Sequence, residues 1–198
     1  KFAEGGANLF GVDLTERAIA HTKSRIKLFG LESILTTGDA ENLEYTDNTF
    51  DMVYSWGVVH HSPDTEKAIA EIFRVLKPGG KAKIMIYHKW SMIGFMLWLR
   101  YGLFKLRPFI GLSAIYSLYL ESPGTKAYSI KEGHDLFSSY SDVQVSTVLS
   151  HGDLLESDAG QRHRGLLLTV AKKLWPRFLI RSVLPKAGLF MLIEGVKP

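Results

Sequence analysis

Two aspartates, a pair of adjacent histidines and a tyrosine stand at the ends of apolar runs, where a sheet would present polar side chains at its edge. Asp13 closes Asn8-Leu9-Phe10-Gly11-Val12, a short run of the kind that forms a buried parallel strand. A carboxylate in that position can accept hydrogen bonds from ribose hydroxyls, because ligands of wound α/β sheets bind beyond the carboxyl ends of the strands. An aspartate between a strand and a helix can equally be a plain cap. Asp39 follows the next apolar run, Ser33-Ile34-Leu35-Thr36-Thr37, inside Gly38-Asp39-Ala40-Glu41. Its carboxylate can accept from an exocyclic amine while a neighbouring backbone N–H reaches a ring nitrogen; a turn aspartate after glycine is the alternative. Taken as a pair on adjacent strands, the two could hold both ends of one adenosine.

His60 and His61 end the run Phe50-Asp51-Met52-Val53-Tyr54-Ser55-Trp56-Gly57-Val58-Val59, and Tyr87-His88 ends Lys81 to Ile86. An imidazole or a phenol at such an end can exchange a proton with a bound acceptor. Adjacent histidines share no face of a helix or strand and no third ligand is evident, so no metal site is expected. One ring should pack structurally and the other face the pocket.

The elements that position these groups alternate. Thr15 suits a helix N-cap, with Leu14 and Ile19 spaced as a hydrophobic staple. Ala18, Ile19, Thr22, Ile26 and Phe29 fall on one helical face ending at Gly30. Phe50 to Ser55 reads as a strand. Ser62-Pro63 opens a helix through Leu76 that faces Ala68, Ile69, Ile72, Phe73 and Leu76 inward, and Pro78-Gly79-Gly80 ends it. Lys81 to Tyr87 is the next strand. Trp90 to Leu120 predicts two largely apolar helices separated near Arg107-Pro108, and a capping box at Ser129 and Glu132 opens a helix to Tyr140. Asp142 to Leu149 alternates as a strand. A basic helix over Lys172 to Leu184, interrupted by Pro176, and a strand over Gly188 to Val196 complete the chain. Alternating strands and helices imply one parallel sheet covered on both faces, in a single domain over residues 1–198 with a helical cap at 90–128.

Composition narrows the class. With 198 residues, 46% of them hydrophobic and 22% charged, the chain suits one folded domain rather than disorder. The net charge of +4 comes from scattered residues and short clusters such as Lys172-Lys173, not from a nucleic-acid stripe. The absence of cysteine excludes disulfides and fits a reducing, cytoplasmic setting. The apolar stretch from Trp90 to Leu106 is interrupted by Arg100 and Lys105, too early for a spanning helix.

The ordered set Gly11-Val12-Asp13-Leu14, Gly38-Asp39-Ala40-Glu41-Asn42-Leu43, Phe50-Asp51 through His60-His61, and Arg74-Val75-Leu76-Lys77-Pro78-Gly79-Gly80 resembles the class I S-adenosylmethionine-dependent methyltransferases that act on small molecules and lipids. The resemblance covers roughly residues 8–88 and weakens beyond. It implies a Rossmann-like, doubly wound α/β sheet, mostly parallel with an antiparallel last strand, and a helical insertion after the fifth strand. It implies S-adenosylmethionine as cofactor. Asp13 would bind the ribose with Leu14 packed on the adenine, Asp39 and Ala40 would read the adenine edge, and Ser55, Trp56 and Gly57 would line the methionine end. His60, His61 and Tyr87, with His88 as a further option, would lie on the substrate side.

One departure matters. The family's glycine-rich loop should precede Asp13 by a strand and a helix, but Glu4-Gly5-Gly6-Ala7 stands too close to Asp13 to serve, and Lys1-Phe2-Ala3 resembles the end of the helix after that loop. The expectation is a truncated chain lacking the central first strand, marginal alone, self-associating through unpaired strands or borrowing one. The acceptor is expected to be a small or amphipathic molecule. Trp98, Arg100, Lys105 and Arg107 add membrane-surface contact as an option beside a buried interface. A non-catalytic cofactor-binding or interaction protein, and behind it a nicotinamide-dependent oxidoreductase, are the alternatives.

Overall fold

The computed structural model describes residues 1–156 and 173–198. Its strands form two sheets. In the smaller, β1 (Phe10–Asp13) runs parallel to β2 (Ile34–Thr37), with Asp13 opposite Thr37. In the larger, β3 (Phe50–Trp56), β4 (Leu76–Tyr87), β6 (Phe190–Val196) and β5 (Ser141–Val148) lie side by side in that order. β3 is parallel to β4, whereas β6 is antiparallel to both β4 and β5. The architecture is therefore the expected α/β sheet, mostly parallel with an antiparallel strand near its far edge, except that β1 and β3 share no ladder. Across that break the rings of Phe10 and Phe50 meet, their centroids 5.4 Å apart.

The core sits under β4 and β6. Helix α2 (Thr65–Val75) buries Ala68, Ile69 and Ile72 against Val59, Leu76, Ile84, Ile86, Met191 and Ile193. Truncating any of these isoleucines to alanine would cost about 2–5 kcal/mol. The helix starts at Thr65 rather than at Ser62-Pro63, because the Asp64 side chain accepts from the Lys67 N–H at 3.0 Å and so caps it. It ends at Val75, one residue early. The segment 77–80 is not a simple turn: Gly79 N–H donates to Lys197 O and Lys197 N–H to Gly80 O, which extends β4 back to Leu76.

Helix α1 (Glu16–Leu28) departs from its expected face. Ile19 is buried, but Phe29 and Leu14 are exposed and Thr22 faces solvent, so the staple does not close. The cause is the narrow platform beneath it, a two-stranded sheet that can cover only part of an amphipathic helix. The two sheets are tied through the loop after β2. Arg74 donates to Leu43 O, Tyr45 O, Asp47 Oδ1 and both oxygens of Glu71, while Glu71 Oε2 also accepts from the Leu43 N–H. These bonds hold Arg74 protonated, the Glu71 pair foremost, and hold Glu71 below the usual carboxylate range, chiefly through Arg74.

After β4 come α3 (Met92–Tyr101), a short 3-10 turn at Leu103–Lys105 and α4 (Leu112–Tyr119), the two predicted helices of the cap. Tyr116 fastens α4 to the end of β4: its buried hydroxyl lies 3.1 Å from both His88 O and Lys89 O and 2.7 Å from Ser91 Oγ. A Cβ at Gly94 would collide with that hydroxyl, so α3 can approach so closely only with glycine there. α5 (Ile130–Leu136) has the predicted capping box at Ser129 and Glu132 but stops well short of Tyr140, which is buried against the core. α6 (Arg177–Val183) begins after Pro176, whose ring cannot sit inside a helix; Lys172, the expected start, lies outside the described residues. Among the described residues no helix is long and apolar enough to cross a membrane.

Candidate functional site

The carboxyl ends of β1 to β4 gather the candidate residues at one rim. Gly38 N–H donates to Asp13 O at 3.0 Å, so the peptide leading into Asp39 lies beside Asp13. The Asp13 carboxylate accepts from Thr15 N–H and Thr15 Oγ1, both at 2.8 Å, through Oδ1. Thr15 in turn caps α1. Asp13 is thus not the cap foreseen as the plain alternative but the support of the capping Thr15, and an exposed carboxylate at the sheet edge. Asp39 Oδ1 accepts from the Glu41 N–H at 2.9 Å, an aspartate turn that sets its orientation. Leu14 projects from the rim, 73% exposed, where an apolar surface could cover it. Ala40 instead packs against the core cluster around Val59, so its backbone rather than its side chain faces the rim.

Glu41 joins this half to the other. Its Oε1 accepts from Ser62 Oγ at 2.6 Å and from Asp64 N–H at 2.7 Å, bonds that keep its pKa low, Ser62 first. The loop after β2 and the turn after β3 are therefore one hydrogen-bonded unit. Within it Gly57 adopts φ +72°, a left-handed conformation in which any side chain would be strained, and its N–H donates to Met85 O. Trp56 is about half exposed and stacks on Tyr54. Ser55 Oγ is buried without a hydrogen-bond partner.

His60 and His61 do not point apart. Residues 59–61 form a 3-10 turn, and the two rings lie 4.2 Å apart, with His60 also 4.1 Å from the Tyr87 ring. His60 is fully buried, and neither ring nitrogen has a partner. Burial, aided by the neighbouring His61, pushes its pKa down to about 3, so it is neutral at physiological pH. His61 is the ring that reaches solvent. Its Nε2 lies 3.5 Å from Glu121 Oε2, and its Nδ1 lies 3.3 Å from both Ser122 Oγ and Thr125 Oγ1. Tyr87 is buried; burial first, and then the facing Glu121 carboxylate, hold its hydroxyl protonated. His88 is turned away, Nδ1 against Gly188 O at 3.2 Å, and burial lowers its pKa.

Glu121, Ser122 and Thr125 did not stand out in the residue pattern. One signal was available: no acidic residue occurs between Glu71 and Glu121, so an acid at the end of the apolar cap is isolated. The glutamate closes the cap onto His61 and Tyr87. A groove of about 510 Å³ between α2 and α5, lined by Ile69, Phe73, Tyr128 and Tyr140 among others, holds none of the candidate residues. The candidate residues lie at the open rim instead.

Comparison with known proteins shows what the chain resembles. Residues 1–84 match the methyltransferase domain family. Phosphoethanolamine N-methyltransferase 2 of Caenorhabditis elegans is 37% identical over 89 residues, 43% of this chain and 20% of that protein. Demethylmenaquinone methyltransferase of Bacillus cytotoxicus is 37% identical over 86 residues, 43% of this chain and 36% of that protein. The matches thus span well under half of these curated relatives. Among solved structures, phosphoethanolamine N-methyltransferase 2 of Haemonchus contortus, in complex with phosphomonomethylethanolamine and S-adenosylhomocysteine, superposes with a TM-score of 0.63 at 18% identity. That superposition covers 100% of this chain and 45% of the other. Over residues 1–84 the sequence is thus similar to a methyltransferase domain, and the fold is the Rossmann-like one of the solved S-adenosylmethionine-dependent methyltransferases.

Proposed function

We propose that this protein transfers a methyl group from S-adenosylmethionine to a small-molecule or amphipathic acceptor at the rim of β1 to β4. The observation that carries the reading is the Asp13 O to Gly38 N–H bond, which holds the residue before Asp39 against the end of β1. In this reading Asp13 accepts from the ribose hydroxyls, Leu14 covers one face of the adenine, and Asp39 with the Ala40 backbone reads its edge. Ser55, Trp56 and Gly57 flank the methionine end. The unpartnered Ser55 Oγ supports that fit, since a buried hydroxyl without a partner costs about 1–3 kcal/mol until something bonds to it.

S-adenosylmethionine, when bound there, would supply an already activated methyl group for an acceptor's lone pair, its C–S electrons returning to sulfur. The protein therefore has to place the acceptor in line and exclude water. His61, steadied by Glu121, is positioned to take a proton from an acceptor that carries one. Tyr87, held protonated, is suited to donate a hydrogen bond. His60 forms the dry floor beneath both. The acceptor class draws on the curated relatives, one named for phosphoethanolamine and one for demethylmenaquinone.

A second part of the reading concerns the break between β1 and β3. Both strands present an edge that no described residue pairs, and an extended segment lying parallel between them would join the sheets. We propose that such a strand, with the loop after it, completes the cofactor site, and that without it the chain self-associates through these edges. The same break favours the alternative of a non-catalytic interaction protein. The cysteine-free sequence fits work in a reducing, cytoplasmic interior. Calorimetric titration of the protein carrying the completing strand and loop, with S-adenosylhomocysteine and, separately, with a nicotinamide dinucleotide, tests the reading. Heat with the first alone supports it. Heat with the dinucleotide alone replaces it with an oxidoreductase, and heat with neither leaves the interaction protein.

A further inference from the structure

The turn that joins α3 to α4 carries Leu103-Phe104-Lys105-Leu106-Arg107-Pro108-Phe109, and all seven residues are exposed. Phe109 is 98% exposed and Leu106 91%. Burial of such side chains drives folding, so two left bare at a turn tip require a reason. The turn is held in shape: Trp98 Nε1 donates to Pro108 O at 3.2 Å, Arg107 N–H to Gly102 O at 2.8 Å and Ile110 N–H to Arg107 O at 3.1 Å. Leu106 also adopts φ 57°, a left-handed backbone that costs a leucine about 1–2 kcal/mol. The side chain that pays most in backbone strain is thus among those that gain least from the protein's own core.

A second element of the same character leaves the same rim. The chain carrying α6 exposes Leu174, Phe178, Leu179, Val183 and Leu184. It is rooted beside α3: Met92 N–H donates to Ala187 O at 2.8 Å, and Asp153 accepts from Ile93 N–H through Oδ1 and from Trp175 Nε1 through its backbone carbonyl. Charge is one-sided in both segments. The sequence has no acid between Glu71 and Glu121 and none between Asp158 and Glu194, yet those stretches hold Arg100, Lys105, Arg107, Lys173, Arg177, Arg181 and Lys186. Arg181 is neutralised by Glu156, whereas Lys105 and Arg107 make no ion pair among the described residues.

We propose that this surface docks on an anionic lipid bilayer, with Leu106 and Phe109 entering the interface and Lys105 and Arg107 meeting the headgroups. Apolar tips flanked by cations, with a tryptophan beside them, match the layered chemistry of a membrane surface. A second copy of the chain is a poor occupant, since it would set Lys105 and Arg107 against like charge. The binding itself does not depend on methyl transfer.

Flotation with vesicles of phosphatidylcholine, alone or mixed with phosphatidylglycerol, reads this directly and without activity. The protein is expected to float with the anionic vesicles and to be released by high salt. The double variant Leu106→Asp/Phe109→Asp, changed only at bare positions, should lose at least about tenfold in vesicle affinity. Lys105→Glu/Arg107→Glu should lose a similar factor while keeping both apolar tips, about fivefold or more for each charge. Failure to float with either composition overturns the proposal, as does equal flotation of both variants. So does self-association that the first variant abolishes in a protein that ignores vesicles.

Discussion

The amide of Gly38 and the carbonyl of Asp13 are joined by a 3.0 Å hydrogen bond, the last rung between β1 and β2 before both strands open at the rim. It brings the residue before Asp39 against Asp13, far back in the chain. Removing either carboxylate should weaken nucleoside binding without unfolding the sheet. Asp13→Asn, which keeps an oxygen for Thr15, and Asp39→Ala are each expected to lower S-adenosylhomocysteine affinity about 10- to 100-fold, the worth of one or two charge-assisted hydrogen bonds. Calorimetry gives the affinities, and unchanged melting shows that the loss is local.

The contact between His61 and Glu121 makes a separate prediction. If His61 takes the acceptor's proton, His61→Ala should lower kcat by about 100-fold, within the range for a positioned base. Glu121→Gln should lower kcat about tenfold and leave the KM for the methyl donor unchanged, because the residue touches His61 and Tyr87 rather than the nucleoside side of the rim. Steady-state kinetics with an acceptor bearing a proton decides. A rise in donor KM alone would place Glu121 on the wrong side.

His60 links the same floor to stability. Its pKa is about 3 in the fold and ordinary, near 6.5, in the unfolded chain. Above pH 6.5 both states are neutral and the buried ring costs nothing in protonation. As pH falls below that value the unfolded chain binds a proton that the folded protein refuses, so stability drops. From pH 7 to pH 5 the loss amounts to about 2 kcal/mol. Urea melts at the two pH values should show it. In His60→Phe, which retains a ring of similar shape, this part of the slope should vanish.

Arg74 illustrates what the residue pattern could and could not convey. It belonged to a recognisable run ending in Pro78-Gly79-Gly80, yet its work is long-range, tying Leu43, Tyr45 and Asp47 to α2. Arg74→Ala is expected to destabilise the protein by about 2–4 kcal/mol, since it frees two carbonyls and Glu71 at once. Arg74→Lys should recover little of that, because one ammonium cannot reach five acceptors. Thermal melts check both.

Strands and helices were legible from their apolar runs and faces: β1 to β4, α2 with Ala68, Ile69 and Ile72 inward, and β6, whose antiparallel direction came only from the family resemblance. Boundaries set by side chains that choose between two caps were not, as with Asp64 in place of Ser62. The faces of α1 were misjudged for a different reason. Amphipathic spacing announces which side is apolar, but not that the platform beneath is only two strands wide. In the site, the residues on the rim followed from strand ends. The meeting of Glu121 with His61 did not, because it depends on how an apolar cap folds back sixty residues later in the chain, a packing event without local periodicity.

The claim on which the rest depends is that one nucleoside bridges Asp13 and Asp39. A crystal structure of the protein with S-adenosylhomocysteine measures that directly. The account predicts the ribose hydroxyls within hydrogen-bonding distance of the Asp13 carboxylate and the adenine amine at Asp39. A nucleoside bound elsewhere, or with its ribose away from Asp13, would contradict it.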